Sequence, residues 1–347
     1  MFQFRLSNPS KSLRLPLFGG LTLLLVVATV FALTRGTIAI DWATLFVPGT
    51  DQAMQTTALL ELRLPRVLLA LLIGAVLAQA GAVTQALFRN PLAEPGLIGV
   101  SAGAALAAAI VFTRLDGRLG GLAAWQGVVL PVAAFGGGLL AAVIVLRLSQ
   151  RDGVTRMTTM LLAGTAINAF VAAIVGLLST TADDSGLRGF TLWMYGNLGR
   201  AGWNEIAIVG PVLLILLLWL PREARALDAL LLGDAEALHL GVPVERLKRR
   251  ILIAVVLATA AAVSLAGIIG FVGLIVPHAL RLIAGPGHRL LLPASALAGA
   301  LLLVLADTAA RTLATPAEWP VGALTSAIGA PFFLFLLLRL RDRAGLT

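Results

Sequence analysis

Stretches of about 20 residues without a single charge recur along this chain, and that pattern restricts its fold more than any other feature. Residues 15–33, 67–88, 251–269 and 321–338 are uncharged throughout. Wound as helices, such runs cross the roughly 30 Å of bilayer hydrocarbon. Strands of a membrane barrel would alternate apolar and polar positions, and these runs do not alternate. Only 12% of the 347 residues are charged, against about 25% in a soluble domain. The expected fold class is an all-α polytopic membrane protein.

Ten spans fit the sequence, near 15–35, 64–88, 96–114, 126–148, 156–180, 204–221, 249–269, 271–284, 290–312 and 319–340. Irregularity is expected in the third, the eighth and also the fifth, where Gly96, Gly99, Gly103, Gly270 and Gly273 read as interruptions. With the N-terminus inside, 18 of the 26 basic residues fall in cytoplasmic segments, so both termini are expected in the cytoplasm. The net charge of +9 therefore reads as loop charge facing the membrane surface rather than a nucleic-acid surface. Arg5, Lys11 and Arg14 precede the first run, which is read as a retained helix because no small-residue cleavage site follows it. Runs rich in glycine and alanine, such as 74–81 and 136–138, read as close helix packing.

Several chemistries are excluded or disfavoured. There is no cysteine, hence no disulfide or thiolate site. Lys11 and Lys248 are the only lysines and neither ends a glycine-rich phosphate loop, so ATP hydrolysis belongs to a partner. Asp307 is the one carboxylate well inside a span, with Arg311 one turn later as an i,i+4 partner. An ion-coupled secondary carrier, the rival class, would need more ionisable groups near the midplane. A membrane enzyme would need clustered catalytic groups, and His239, His278 and His288 have no metal-ligand spacing.

The segment around 222–250 is the most legible loop. Asp234 is expected to cap a short helix, Ala235, Ala237, Leu238 and Leu240 to give it an apolar stripe, and Gly241 with Pro243 to end it and open a second short helix. Two readings stand side by side: an interfacial connector, or a docking knob for a cytoplasmic engine.

Three stretches taken together resemble the permeases of type II ATP-binding-cassette importers for vitamin B12, ferric siderophores and haem. The first is Arg63-Leu-Pro-Arg66, then Gly81-Ala-Val-Thr-Gln85, then Arg89-Asn-Pro-Leu-Ala-Glu-Pro-Gly-Leu-Ile-Gly-Val-Ser-Ala-Gly103. The second is Gly267-Ile-Ile-Gly-Phe-Val-Gly-Leu-Ile-Val-Pro-His278 followed by Arg281. The third is Asp307-Thr-Ala-Ala-Arg311, then Pro320-Val-Gly-Ala-Leu-Thr325 and Gly329-Ala-Pro-Phe-Phe333. The likeness covers essentially the whole chain, read as one permease domain over 1–347. The run from Gly96 to Gly103 looks most like haem permeases.

The resemblance implies a ten-helix subunit in the bacterial inner membrane that pairs with a second copy about a twofold pore. Two ATPase subunits, carrying ATP and Mg, sit beneath, and a periplasmic binding protein delivers the ligand; the chain itself would hold no cofactor and touch only lipid otherwise. Arg63, Arg66 and Arg311 match arginines that meet acids of the binding protein, although Arg66 could equally anchor its helix and Arg311 serve Asp307. Gly233, Asp234, Glu236, Ala237 and Gly241 match the ATPase-coupling segment. Asn90, Leu92, Met157 and Thr158 match the cytoplasmic gate, with Met160 and Asn168 further along the pathway. One departure stands out: a family Trp-Met-Gly-Ser-like stretch here reads Trp193-Met194-Tyr195-Gly196-Asn197.

Overall fold

The computed structural model describes residues 11–36, 40, 50–115, 123–199, 202–313 and 317–343. In hydrocarbon no water meets a stray N–H or C=O, so uncharged runs close their hydrogen bonds within themselves as helix. The helices are α1 Lys11–Thr34, α2 Thr50–Thr57, α3 Leu64–Leu87, α4 Val100–Ile110, α5 Ala123–Ser149, α6 Met157–Ser179 and α7 Asp184–Met194. There follow α8 Trp203–Trp219, α9 Ala224–Leu230, α10 Asp234–His239, α11 Val244–Ala266, α12 Val272–Ala284, α13 His288–Thr312 and α14 Val321–Arg343. A two-residue hairpin, β1 Gln150–Arg151 and β2 Val154–Thr155, joins α5 to α6.

Among the described residues, seven helical stretches are long and apolar enough to cross a bilayer, and three shorter apolar ones lie in α4, α12 and α14. Together they coincide with the ten expected runs. The breaks agree only in part. Gly99, at φ +85°, does separate a single 3₁₀ turn from α4, and Gly270 lies in the turn between α11 and α12. Gly103 and Gly273, however, sit inside α4 and α12, and α6 runs unbroken for 23 residues. These two glycines are contact points, not interruptions.

What they contact explains the packing. Lipid tails are as apolar as leucine, so helices associate where small residues let backbones approach. A Cβ on Gly74 would overlap the carbonyl of Gly299 in α13, and one on Gly81 would overlap the backbone of Gly273 in α12. Gly103 and Gly137 make the same reciprocal contact between α4 and α5. The central helix is α3, 83% of whose span is buried, whereas α1 and α6 are only 11% buried and show outward rows of Leu, Val and Phe.

The two ends of the bundle are distinct. At one end lie the close of α3, α9, α10, the start of α11 and the hairpin, joined by polar contacts. At the other lie the close of α1, the start of α3 and the close of α13. Among the described residues, three helices lie outside the ten apolar runs and the expected short helix at 234: α2, α7 and α9. Helix α7 is capped by Asp183, whose carboxylate accepts from the N–H of Gly186 at 3.3 Å.

Replacing Gly81 by alanine is expected to cost about 1–3 kcal/mol by overpacking the α3–α12 contact. Gly136→Ala, which meets open space, is expected to be neutral; thermal unfolding of the two purified variants in detergent checks the difference.

Candidate functional site

The polar groups concentrate at the two ends. Just beyond α3, Arg89 adopts φ +48°, a left-handed turn that swings its side chain toward α9 and α10. Its Nε donates to the carbonyl of Leu230 at 3.1 Å, and its guanidinium pairs with Asp234. The other Asp234 oxygen accepts from Lys248 Nζ at 2.6 Å. Lys248 is only 4% exposed and also reaches Glu245 at 3.0 Å, whose second oxygen takes the N–H of Thr155 in the hairpin. One buried ammonium thus ties α10, α11 and, through Glu245, the α5–α6 connection. Asp228 of α9 adds a further tie, accepting from the backbone N–H of His288 at 2.8 Å and lying 2.7 Å from its Nδ1.

Burial alone would raise the Asp234 carboxyl, but Lys248 and Arg89 hold it below the usual carboxylate range. A carboxylate depressed in this way contributes its pairing above its unfolded pKa and loses it only as pH falls through the lower folded value. The clamp is therefore intact at neutral pH.

The coupling residues read from the sequence occupy this element, with corrections. Asp234 is not the cap of α10: Gly233 holds that position at φ +136°, and Asp234 lies in the first turn with its carboxylate committed to Lys248 and Arg89. Pro243 opens no second short helix, because α11 continues from Val244 straight through the membrane run. The short helix that partners α10 is α9, on its other side. Gly241, at φ +82°, makes the turn out of α10. Ala237 faces inward and is fully buried, while Glu236 is exposed. Leu232, Leu238 and Leu240 stand 61–63% exposed around α10. Leu232 carries no sequence signal of its own, since it closes the Leu230-Leu231-Leu232 run just before Gly233.

The residues that the resemblance assigns to a gate lie on the loop after α3 and at the start of α6. Asn90 Oδ1 accepts from the N–H of Leu92 at 3.0 Å, closing a tight turn, and both side chains are half-buried. The loop rests on α6, where a Cβ on Gly164 would overlap the carbonyl of Leu97. Met157 and Asn168 are half-buried and Thr158 is exposed along α6. Met160 differs: it is fully buried in the chain's own core, so in this conformation it packs helices and lines no open wall.

At the opposite end, the three arginines are turned into their own chain. Arg63 donates to the carbonyls of Leu33 and Thr34 at 2.9 and 3.0 Å, and Arg311 donates to those of Ala32 and Arg35 at 3.0 and 3.3 Å. Both thereby satisfy the orphan carbonyls that close α1. Arg66 holds Asp307 at 2.9 Å and Glu318 at 3.0 Å, and Arg311 meets Asp307 at 3.1 Å as the i,i+4 spacing implied. All three arginines are 5–7% exposed. The expectation of guanidinium groups presented to a partner is corrected in this respect: acids and carbonyls of the same chain already meet them. Sequence spacing disclosed Asp307–Arg311 but could not bring in α1 or Glu318.

Ten apolar runs packed as a helical bundle, with a buried ionic cluster at one face and a clamped short-helix element at the other, make a multi-pass membrane protein. The comparisons agree on which. The chain belongs to the FecCD transport family, whose profile matches residues 24–339. It is 44% identical to the hemin transport system permease protein HmuU of Yersinia pestis, over 94% of this chain and 96% of that one. It is also 44% identical to the cobalamin import system permease protein BtuC of Halobacterium salinarum, over 86% of this chain and 76% of that one. The iron(3+)-hydroxamate import system permease protein FhuG of Bacillus subtilis is 39% identical over 91% of this chain and 95% of that one. Among solved structures, an inward-facing metal-chelate type ABC transporter superposes with a TM-score of 0.81 at 32% identity, covering 93% of this chain and 98% of that one.

Asp307→Ala should strand Arg66 and Arg311 without their shared acid and lower stability by about 3–5 kcal/mol. Denaturant or thermal unfolding of the purified variant, compared with wild type, measures this loss.

Proposed function

We propose that this chain is the permease subunit of an ATP-binding-cassette importer of the bacterial inner membrane that passes haem from a periplasmic binding protein to the cytoplasm. The observation that carries the reading is the 44% identity to a hemin permease over nearly the full length of both chains. Two copies form the conduit, and two ATPase subunits holding ATP and Mg dock on the cytoplasmic element around α10. The element suits that task. Its outer leucines offer an apolar contact, Gly233 and Gly241 give it a fixed shape, and Lys248 and Arg89 fasten it to α11 and α3. Force applied to α10 would reach the gate loop directly, because Arg89 is followed at once by Asn90, with Leu92 two residues further on.

In this reading Arg63, Arg66 and Arg311 serve the binding protein by bracing the periplasmic rim. Glu318, with a side chain 39% exposed, is the member of the cluster open to a partner. The candidate pathway residues Met157, Thr158 and Asn168 offer weak ligands, and a conduit without strong iron ligands releases a metal chelate unchanged.

A second reading keeps the machine and replaces the cargo. Cobalamin is favoured by the 44% identity to a cobalamin permease. The deciding experiment is growth of a deletion strain with haem, a ferric hydroxamate or cobalamin as the limiting source, the intact gene being restored as control. Loss confined to haem is expected. Loss confined to cobalamin would replace the cargo, and undiminished growth on all three, with other uptake routes removed, would overturn the importer reading.

A further inference from the structure

The turn between α11 and α12 is unusual. Phe271 sits at φ +67°, a region that bulky side chains rarely enter. Its N–H is met by Glu94 Oε1 at 3.3 Å, across 177 residues of sequence. Glu94 belongs to the gate loop, four residues beyond Asn90, and lines a small cavity with Ser101, Thr259 and Gly273. The Phe271 ring is pressed on α14, where Gly329 leaves room for it and a Cβ would not fit.

The other side of the same turn is joined to the far end of the bundle. Asn197 donates its N–H to the carbonyl of Ala266 at 2.7 Å. A Cβ on Gly267 would overlap the carbonyl of Trp193, and one on Gly322 would overlap those of Tyr195 and Ile268. Direct contacts therefore run from Asp234 through Arg89 and the gate loop to Glu94 and Phe271, and the preceding residues of the same turn, Ala266, Gly267 and Ile268, meet the close of α7 and the start of α14. The one link in that series made by a single side chain onto a strained backbone is Glu94.

We propose that Glu94 is a positioning residue that transmits motion of the cytoplasmic coupling element to the periplasmic mouth by holding the α11–α12 turn to the gate loop. The proposal rests on the importer reading. Packing alone admits a plainer role for Glu94, satisfaction of one buried N–H, and the two roles differ in what a variant does to coupling.

The test uses the complete transporter, with its ATPase and binding protein, in lipid nanodiscs and proteoliposomes. The absence of native cysteine allows single spin labels at Arg151→Cys in the hairpin and at Arg188→Cys on α7. Distances between the two copies are measured with and without ATP, alongside haem uptake per ATP hydrolysed. In wild type both distances shift. In Glu94→Ala the shift at position 151 should persist, the shift at 188 should vanish, and uptake per ATP should fall about tenfold. Glu94→Gln keeps an acceptor for Phe271 and should restore both. The proposal is overturned if Glu94→Ala shifts both labels as wild type does, or abolishes both, which would make Glu94 a general support of the fold. If wild type takes up haem with ATP yet shifts neither label, the proposal falls and the importer reading stands; if wild type shows no ATP-dependent uptake, the importer reading fails and takes the proposal with it.

Discussion

Backbone-to-backbone contact between α3 and its neighbours α12 and α13 is the constraint on which the remainder of the structure depends. In the hydrocarbon phase no hydrophobic force drives one helix onto another, so dispersion and closeness of approach must do so. Gly74 against Gly299 and Gly81 against Gly273 bring the axes near enough for that. Once α3 is fixed on both, its two termini carry Arg66 and Arg89 to opposite faces of the membrane. Each arginine then organises the polar contacts of its own face.

The two faces handle charge differently. At one, Arg63, Arg66, Arg311, Asp307 and Glu318 form a nearly closed cluster that ties α1, α3 and α13. Burying such charges is costly unless every group is met, which is why each guanidinium is directed at a carboxylate or a helix-terminal carbonyl. At the other, Lys248 and Arg89 hold a short-helix element whose outer surface remains apolar and exposed.

How much of this was legible in the sequence depended on whether the signal was local. The ten apolar runs and the membrane class follow from length and lack of charge alone. The short helix at 234 is legible because Gly233, Gly241 and Pro243 punctuate it, and the Asp307–Arg311 pair follows from one helical turn. Gly103 and Gly273 were misassigned because a sequence does not say whether a glycine faces a turn or a neighbouring helix. The Asp234 cap failed, and the pairing of the arginines within their own chain could not be read, for one reason: the partners, Lys248, Glu318 and the end of α1, are near only after folding. Helix α9 escaped because it is too short to carry a hydropathy signature. Met160 was placed on a pathway by its position on α6, whereas its own face of that helix is turned into the core.

The central claim is that ATP hydrolysed by partner subunits, and not an ion gradient, drives passage through this chain. Uptake of haem into proteoliposomes containing the assembled transporter, with ATP sealed inside and ionophores collapsing every ion gradient, tests it most directly. Uptake should continue undiminished and cease when ATP is replaced by a non-hydrolysable analogue. Uptake that follows the gradient and ignores ATP would contradict it.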